Sequence, residues 1–219
     1  MAQQDHDRDT NTDTTTSSNT LAVPPEGRYI TVFNDPVNFN AKHPLHNSWT
    51  LWFDNPGKKS NSNTWEQSLK ELITFDTVED FWGVYNNIMK VCDLAVSSNY
   101  HLFKQGIKPM WEDPANKRGG KWSIQLPRNR TTMREIDNNW LYTMLACIGE
   151  AFEHDEEVCG VVVSVRRTLF RISLWTRSSD NYEKAMSIGR TLKRSANIDG
   201  VLEYQSHHET SNAGTPWTV

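Results

Sequence analysis

Two short apolar runs separated by two residues constrain the fold of this chain more than any other feature. Residues 161–166 and 169–175 each alternate between apolar and polar positions, and they flank Arg167-Thr168, which predicts an antiparallel β-hairpin. Successive side chains of a strand point to opposite faces of the sheet. One predicted face carries Val161, Val163, Val165, Phe170, Ile172 and Leu174. The other carries Ser164, Arg166, Arg171, Ser173 and Trp175, so two arginines and a tryptophan share a surface.

Further elements support a sheet that is apolar on one side. Residues 48–53 alternate as a strand, and residues 119–124 place Lys121 and Ser123 opposite Trp122. A helix is predicted after Thr77, which has the side chain of an N-cap residue, and two more over 136–152 and 182–194. Strands with one polar face, interleaved with three helices, predict an α+β fold in which the helices cover one face of an antiparallel sheet.

Length and charge limit the class of protein. The 219 residues, 37% of them hydrophobic, suit one globular domain. We predict a disordered polar and acidic tail over residues 1–39 and a single domain over 40–219. The formal net charge of −4 argues against gripping a long nucleic acid by its phosphates, so any nucleic-acid contact is expected to be local.

Cysteine and histidine patterns give no sign of a metal site. The three cysteines lack metal-ligand spacing and are predicted to be reduced thiols, and His207-His208 has no accompanying ligand set. The polar N-terminus does not resemble a signal peptide, and no run is long and apolar enough to span a membrane. We therefore expect a soluble cytoplasmic protein, with a nuclear pool as an alternative.

Nine tryptophans are more than one core of this size needs. Those in periodic segments are predicted to be core residues: Trp49, Trp52, Trp122 and Trp140. Trp217 lies near the end of the chain and is expected to have no specific role. Trp65 and Trp111 stand outside periodic segments, and Trp111 lies in Lys-Pro-Met-Trp-Glu-Asp-Pro (108–114), between prolines that prevent regular structure.

The chemistry of these residues predicts a ligand that is flat, cationic and phosphorylated. Two indoles can sandwich a heterocycle, and the attraction strengthens when the ring is positively charged. Glu112 can accept two parallel N–H donors from the ring edge, as guanine offers, and methylation at N7 supplies the charge. Basic residues on the same face can bind a phosphate chain.

Other interpretations of the same residues remain open. Trp111 beside Glu112 is also compatible with an ordinary surface loop. Glu112 with Asp113 could form an acid/base pair in a hydrolase, although neighbouring residues seldom point at one bond and no nucleophile or metal set accompanies them. An aromatic-platform hydrolase or a carbohydrate-binding module is therefore the alternative function.

Several segments together resemble the eukaryotic translation initiation factor 4E family, the mRNA cap-binding proteins. They are residues 43–45, 75–82, 108–113, 117–122, 148–150 and 204–207. The resemblance implies a cupped sheet of about eight strands with three helices on its convex face. It further implies a non-enzymatic, monomeric protein without a cofactor, whose ligand is the 7-methylguanosine cap. The implied cap-binding residues are Trp65, Trp111, Glu112, Trp175, Lys121, Arg166 and Arg171.

The resemblance also implies a second binding surface. On the convex side it would receive a Tyr-x-x-x-x-Leu-hydrophobic helix from initiation factor 4G or from 4E-binding proteins. The implied partner-binding residues are His43, Pro44, Val78, Trp82, Leu141 and Leu145. Trp65 and Trp82 match the translation-promoting branch, and the general character of the sequence favours a fungal member. Lys121, Ser164 and Tyr142 depart from the animal pattern, where arginine, asparagine and glutamate are common.

Overall fold

An antiparallel sheet forms the centre of the molecule. The computed structural model describes residues 41–56, 66–208 and 216–219. The strands of these residues are β1 (Pro44–Asp54), β2 (Lys70–Thr77), β3 (Asn99–Lys104), β4 (Gly120–Pro127), β5 (Val158–Val165), β6 (Leu169–Thr176), β7 (Glu203–Ser206) and β8 (Trp217–Thr218). They lie in the order β2-β1-β3-β5-β6-β4-β7-β8 in one curved sheet. The predicted curved sheet of about eight strands is confirmed.

The β5–β6 hairpin has the predicted faces. Val163 lies opposite Ile172, and Ser164 lies opposite Arg171 in the ladder. All the valines and large apolar residues assigned to the inner face are fully buried, whereas Arg171 and Trp175 keep part of their surface exposed. The alternation of residue types therefore fixed which side of the sheet meets the core.

Three helices cover the apolar face: α1 (Val78–Asn87), α2 (Arg130–Ile148) and α3 (Tyr182–Ser195). Thr77 caps α1 as predicted, because its Oγ1 accepts a hydrogen bond from the Asp80 backbone N–H at 3.2 Å. Each helix contributes buried residues to one cluster that also contains strand residues. Its members include Phe81, Trp140, Met144, Ile188, Leu192, Trp49, Leu51, Trp122, Ile124, Val163 and Ile172. The predicted α+β arrangement, with helices on one face, is confirmed.

Helix α2 begins and ends earlier than the sequence pattern indicated. The prediction was residues 136–152, but a capping box at Asn129 starts the helix at Arg130: the Asn129 side chain accepts from the Thr132 N–H at 3.0 Å, and Thr132 Oγ1 accepts from the Asn129 N–H at 3.3 Å. Gly149 ends it. Phe152 lies beyond the helix and still packs into the core, which explains why its spacing was misleading.

Two tryptophans differ from their predicted roles. Trp49, Trp122 and Trp140 are core residues, but Trp52 is only partly buried and pairs with His101 on the opposite face of the sheet. Trp217 was expected to have no specific role, yet it forms part of β8 and stacks on Tyr204 at 5.1 Å with an interplanar angle of 11°. This strand extends the sheet beyond β7.

Other features of the structure are consistent with a compact domain whose cysteines are reduced. Lys42–Val219 forms one compact unit. Cys92, Cys147 and Cys159 are free thiols, and burial raises the pKa of Cys159 to about 12. Among the described helices none is both long and apolar enough to cross a bilayer. The described residues contain no group of three or more His, Cys, Asp or Glu side chains able to hold a metal ion.

Candidate functional site

The concave face of the sheet contains a cavity of about 730 Å³. Strands β3, β5, β6, β4 and β7 contribute to its lining, and residues 109–112 line it from outside the sheet. Most of the predicted cap-binding residues meet there: Trp111, Glu112, Trp175, Lys121, Arg166 and Arg171. Trp65 lies outside the described residues, although its neighbour Glu66 lines the cavity. Residues that are far apart in sequence therefore share one site.

The segment that carries Trp111 is built around two polar side chains. Asp113 accepts hydrogen bonds from the Lys108 and Ala115 backbone N–H groups at 3.0 and 2.8 Å. Asn116 is fully buried and donates to the carbonyls of Lys108 and Met110 at 2.9 and 2.8 Å. These bonds replace regular secondary structure and leave Trp111 52% exposed. The loop is ordered, and its largest side chain faces away from the core.

The same bonds decide between two interpretations of the neighbouring carboxylates. Both oxygens of Asp113 accept backbone N–H groups of its own loop, whereas Glu112 is exposed and lines the cavity. Asp113 therefore has a structural role in the loop. An acid/base pair acting on one bond is not supported, because only one of the two carboxylates lines the cavity.

Trp175 is held from both sides on the cavity floor. The ring of Phe103 lies 5.7 Å away at 76°, and the ring of His207 lies 4.3 Å away at 46°. Gly160 permits this packing, because a Cβ there would lie 2.4 Å from Phe103 Cγ. Trp175 is therefore fixed before any ligand arrives.

His207 is a site residue that sequence reasoning did not identify. The sequence showed only that no metal-ligand set accompanies it, and the structure places it in the cavity lining, packed on Trp175. Burial, followed by the charges of Lys121 and His208, lowers the pKa of His207 to about 4. The ring is therefore neutral at physiological pH and adds no positive charge beside Trp175.

Three cations, Lys121, Arg166 and Arg171, also line the cavity. Burial and the nearby charge of Arg171 lower the pKa of Lys121 and that of Arg166. Within the described part of the chain, neither Lys121 nor Arg171 forms a salt bridge with an acidic side chain. Mutual repulsion and partial desolvation therefore leave a positive region that an anionic group would stabilise.

The cavity thus combines three kinds of group. An exposed aromatic face, a carboxylate and clustered cations all line it. The arrangement fits a flat ring with N–H donors on its edge and an anionic tail. Asn99 and His101 also line the cavity, and sequence reasoning missed both, because neither belongs to a motif and their partners lie more than forty residues away.

The predicted partner-binding residues, here called the partner surface, are His43, Pro44, Val78, Trp82, Leu141 and Leu145. Val78 and Trp82 are each 37% exposed on α1, and Leu141 and Leu145 are partly buried on α2. The two helices meet where Phe81 and Met144 line one small gap.

The first residues of the partner surface are tied to α1. The carbonyl of His43 accepts from the Val78 N–H at 2.9 Å, and the backbone N–H of His43 donates to the Glu79 carboxylate at 2.8 Å. The start of β1 and the N-terminal turn of α1 therefore form one unit.

Comparison with known proteins identifies the family of the chain. The family model described as Eukaryotic initiation factor 4E matches residues 44–217. Eukaryotic translation initiation factor 4E-1 of Schizosaccharomyces pombe is 40% identical over 202 residues, covering 91% of each protein. The factor 4E-1 of Arachis hypogaea is 44% identical over 167 residues, covering 76% of this chain and 70% of that protein. Relatives thus come from plants as well as a fungus, and the fungal origin stays a prediction.

Solved structures give the same result. The Ascaris suum eIF4E-3 complex with m2,2,7G cap has a TM-score of 0.74 at 39% identity, covering 82% of this chain and 99% of that one. The Caenorhabditis elegans eIF4E-3 complex with the 4E-binding protein Mextli and cap analog has a TM-score of 0.69 at 39% identity, covering 76% and 94%. Given this fold, this cavity and a family match over most of its length, the chain belongs to the eukaryotic initiation factor 4E family.

Proposed function

We propose that this protein binds the 7-methylguanosine 5′ cap of mRNA and recruits an initiation factor 4G scaffold to start cap-dependent translation. The observation that carries the proposal is one cavity lined both by Trp111, Glu112 and Trp175 and by the cations Lys121, Arg166 and Arg171. Related proteins of the same fold are known in complex with m7G and m2,2,7G caps.

The base would stack on Trp111, with Trp65 as the second platform. Stacking on an aromatic side chain contributes about 1–3 kcal/mol per base, and cation–π attraction adds roughly 0.5–2 kcal/mol. Glu112 would accept the two N–H groups on the edge of guanine, and Trp175 would contact the methyl group. The positive charge of the methylated ring favours both indoles and the carboxylate, which explains a preference over unmethylated guanine.

The phosphate chain would lie over Lys121, Arg166 and Arg171. Partial burial of Lys121 and Arg166 strengthens their attraction for a phosphate, because less water competes with it. Lys121 acts as a point charge, whereas Arg166 and Arg171 can form paired hydrogen bonds with phosphate oxygens.

The partner surface would bind a short amphipathic helix of the Tyr-x-x-x-x-Leu-hydrophobic type. Exposed Trp82 and Val78 supply the apolar anchors that helix-in-groove recognition uses. The scaffold and 4E-binding repressors would compete here, as the Mextli complexes of the Caenorhabditis elegans relative suggest. The protein would act as a monomer in the cytoplasm, with a nuclear pool, and by binding alone rather than by turnover.

Titration with cap analogue tests this function directly. We expect 7-methyl-GTP to quench the tryptophan fluorescence strongly and unmethylated GTP to quench it weakly, because only the methylated ring is cationic. Equal responses to the two nucleotides would contradict the cation–π argument. Phosphate release during the same incubation would support a hydrolase instead, and quenching by oligosaccharides without any response to the cap would support a carbohydrate-binding module.

A further inference from the structure

A buried hydrogen-bonded chain lies behind Arg166. Arg166 Nη2 donates to Asn99 Oδ1 at 2.9 Å, and Asn99 Nδ2 donates to both carboxylate oxygens of Asp54 at 2.9 and 3.1 Å. His101 Nε2 contacts Asp54 Oδ1 at 2.6 Å. Asp54 is fully buried, and Asn99 and His101 are each 5% exposed. The proposed function uses none of these three residues.

The chain joins three strands that are consecutive in the sheet. Asp54 ends β1 and lies opposite Asn99 at the start of β3, and Asn99 lies opposite Ser164 near the end of β5. Arg166 follows β5 directly. The antiparallel register therefore aligns an acid, an amide and a guanidinium in one row on the concave face.

Asn99 is suited to the middle of this row for a chemical reason. An ionised carboxylate only accepts hydrogen bonds and a guanidinium only donates them, whereas an amide has one group of each kind. With its NH₂ toward Asp54 and its carbonyl toward Arg166, Asn99 satisfies both neighbours. A second carboxylate here would face Asp54 at hydrogen-bond distance and repel it.

The row holds Arg166 in one orientation. One terminal nitrogen is bound by Asn99, and the other donates to the Val165 carbonyl at 3.0 Å. These two bonds fix the guanidinium plane on the cavity floor, and its remaining N–H groups stay available for a ligand. Asp54 also opposes the effects of burial and of Arg171 on Arg166, since its negative charge stabilises the guanidinium.

We propose that Asp54 and Asn99 are positioning residues for cap binding, which hold Arg166 ready for the phosphate chain through an acid–amide–guanidinium relay. The proposal rests on the proposed function, because it concerns the phosphate half of that ligand. It predicts that substitutions of Asp54 or Asn99 lower the affinity for the phosphorylated ligand only. A merely structural role would weaken base and phosphate binding together.

Exchanging the acid and the amide tests the relay. In Asn99→Asp two carboxylates face each other, and we expect affinity for 7-methyl-GTP to fall about tenfold, the equivalent of one lost charge-assisted hydrogen bond. Affinity for 7-methylguanosine, which has no phosphate, should change less than about twofold. Adding Asp54→Asn restores one acid and one amide, and the double variant should recover to within about threefold of the wild type.

A second variant separates positioning from general support. Asn99→Ala should weaken 7-methyl-GTP binding about tenfold in the wild type and have almost no effect when Arg166→Ala is already present, because both changes remove the same contact. Thr50→Val is the matched control: it removes a hydrogen bond to Thr74, from a buried β1 residue that does not line the cavity. It should leave both affinities unchanged, and thermal unfolding establishes that each variant is folded.

The outcomes separate this proposal from the proposed function. If the wild type binds neither 7-methyl-GTP nor 7-methylguanosine, the proposed function fails and the relay with it. If the wild type binds both, but Asn99→Asp weakens both equally or the exchanged pair gives no recovery, only the relay is refuted. An additive effect of Asn99→Ala in the Arg166→Ala background also refutes it.

Discussion

The concave cavity and the convex partner surface prepare for binding in different ways. In the cavity, side chains are fixed in advance: Trp175 lies between Phe103 and His207, and Arg166 is held by Asn99. On the partner surface, Val78 and Trp82 stand partly exposed on a helix. The cavity therefore gains affinity from preorganised polar groups, and the partner surface from burying apolar area when a helix docks.

The two surfaces also lie on opposite faces of one sheet. The same strands bury their other side chains between the two surfaces. A substitution that removes exposed surface on one face should therefore leave the other face intact. The predictions below test this independence, beginning with the largest effect.

Trp111→Ala should weaken 7-methyl-GTP binding about a hundredfold, because it removes both stacking and cation–π attraction from one platform. Trp111→Phe keeps a ring and should lose less. Binding of a Tyr-x-x-x-x-Leu-hydrophobic peptide should not change in either variant. Isothermal titration calorimetry with both ligands measures this, and a parallel loss of peptide affinity would contradict the independence of the two surfaces.

Trp82→Ala should weaken the same peptide by about thirtyfold or more, as expected for an aromatic hot spot in a helix groove. Cap affinity should stay within about twofold of the wild type. Met133→Ala is the matched control, since Met133 is a 40% exposed apolar residue of α2 outside the partner surface. Fluorescence anisotropy of labelled peptide is the measurement. Collapse of cap binding would instead make Trp82 part of the core.

Glu112→Gln should weaken 7-methyl-GTP binding about tenfold, because glutamine keeps one acceptor but presents an NH₂ group to a donor edge. Glu66→Gln is the control, because Glu66 also lines the cavity. Its Oε1 lies 3.9 Å from Lys108 Nζ, and this exposed ion pair is expected to contribute little to stability. Competition titrations measure both. Equal losses in the two variants would mean that general negative charge, rather than edge recognition, attracts the base.

The smallest expected effect is a pH dependence confined to the cavity. The pKa of His207 is lowered to about 4 in the folded chain. Between about pH 6.5 and pH 4, His207 is therefore protonated in the unfolded chain but neutral in the folded chain. The His207 contribution to stability is therefore complete above about pH 6.5 and is lost as the pH falls toward 4. Denaturant unfolding at pH 7 and pH 5 should show a larger loss in the wild type than in His207→Gln.

Glu79, which binds His43 of the partner surface, should not contribute to such a dependence. Hydrogen bonds from His43 lower the pKa of Glu79 to about 2, so this carboxylate stays ionised over the same range. The ionisation of Glu79 should therefore cause little difference between the peptide affinities measured at pH 7 and pH 5. An NMR titration in which His207 gains its proton near pH 6.5 would contradict its burial beside Trp175.

Sequence reasoning succeeded where nearby residues alone determine the local structure. The faces of the β5–β6 hairpin follow from alternation, and the Thr77 cap follows from the residue type before α1. It failed at the start of α2, where a polar first turn hides the Asn129 capping box, and at Trp217, whose short strand depends on contact with Tyr204.

The sequence by itself determined the fold class, the family and six of the residues that line the cavity, since alternation and segment identity are properties of nearby residues. Only the tertiary structure decided how those residues are held. Asp54 and Asn99 lie 45 positions apart, as the spacing of their hydrogen bond shows, and nothing local relates them. Their pairing arises from the register of β1 and β3, which depends on the whole sheet. Local sequence patterns do not show which strands become neighbours.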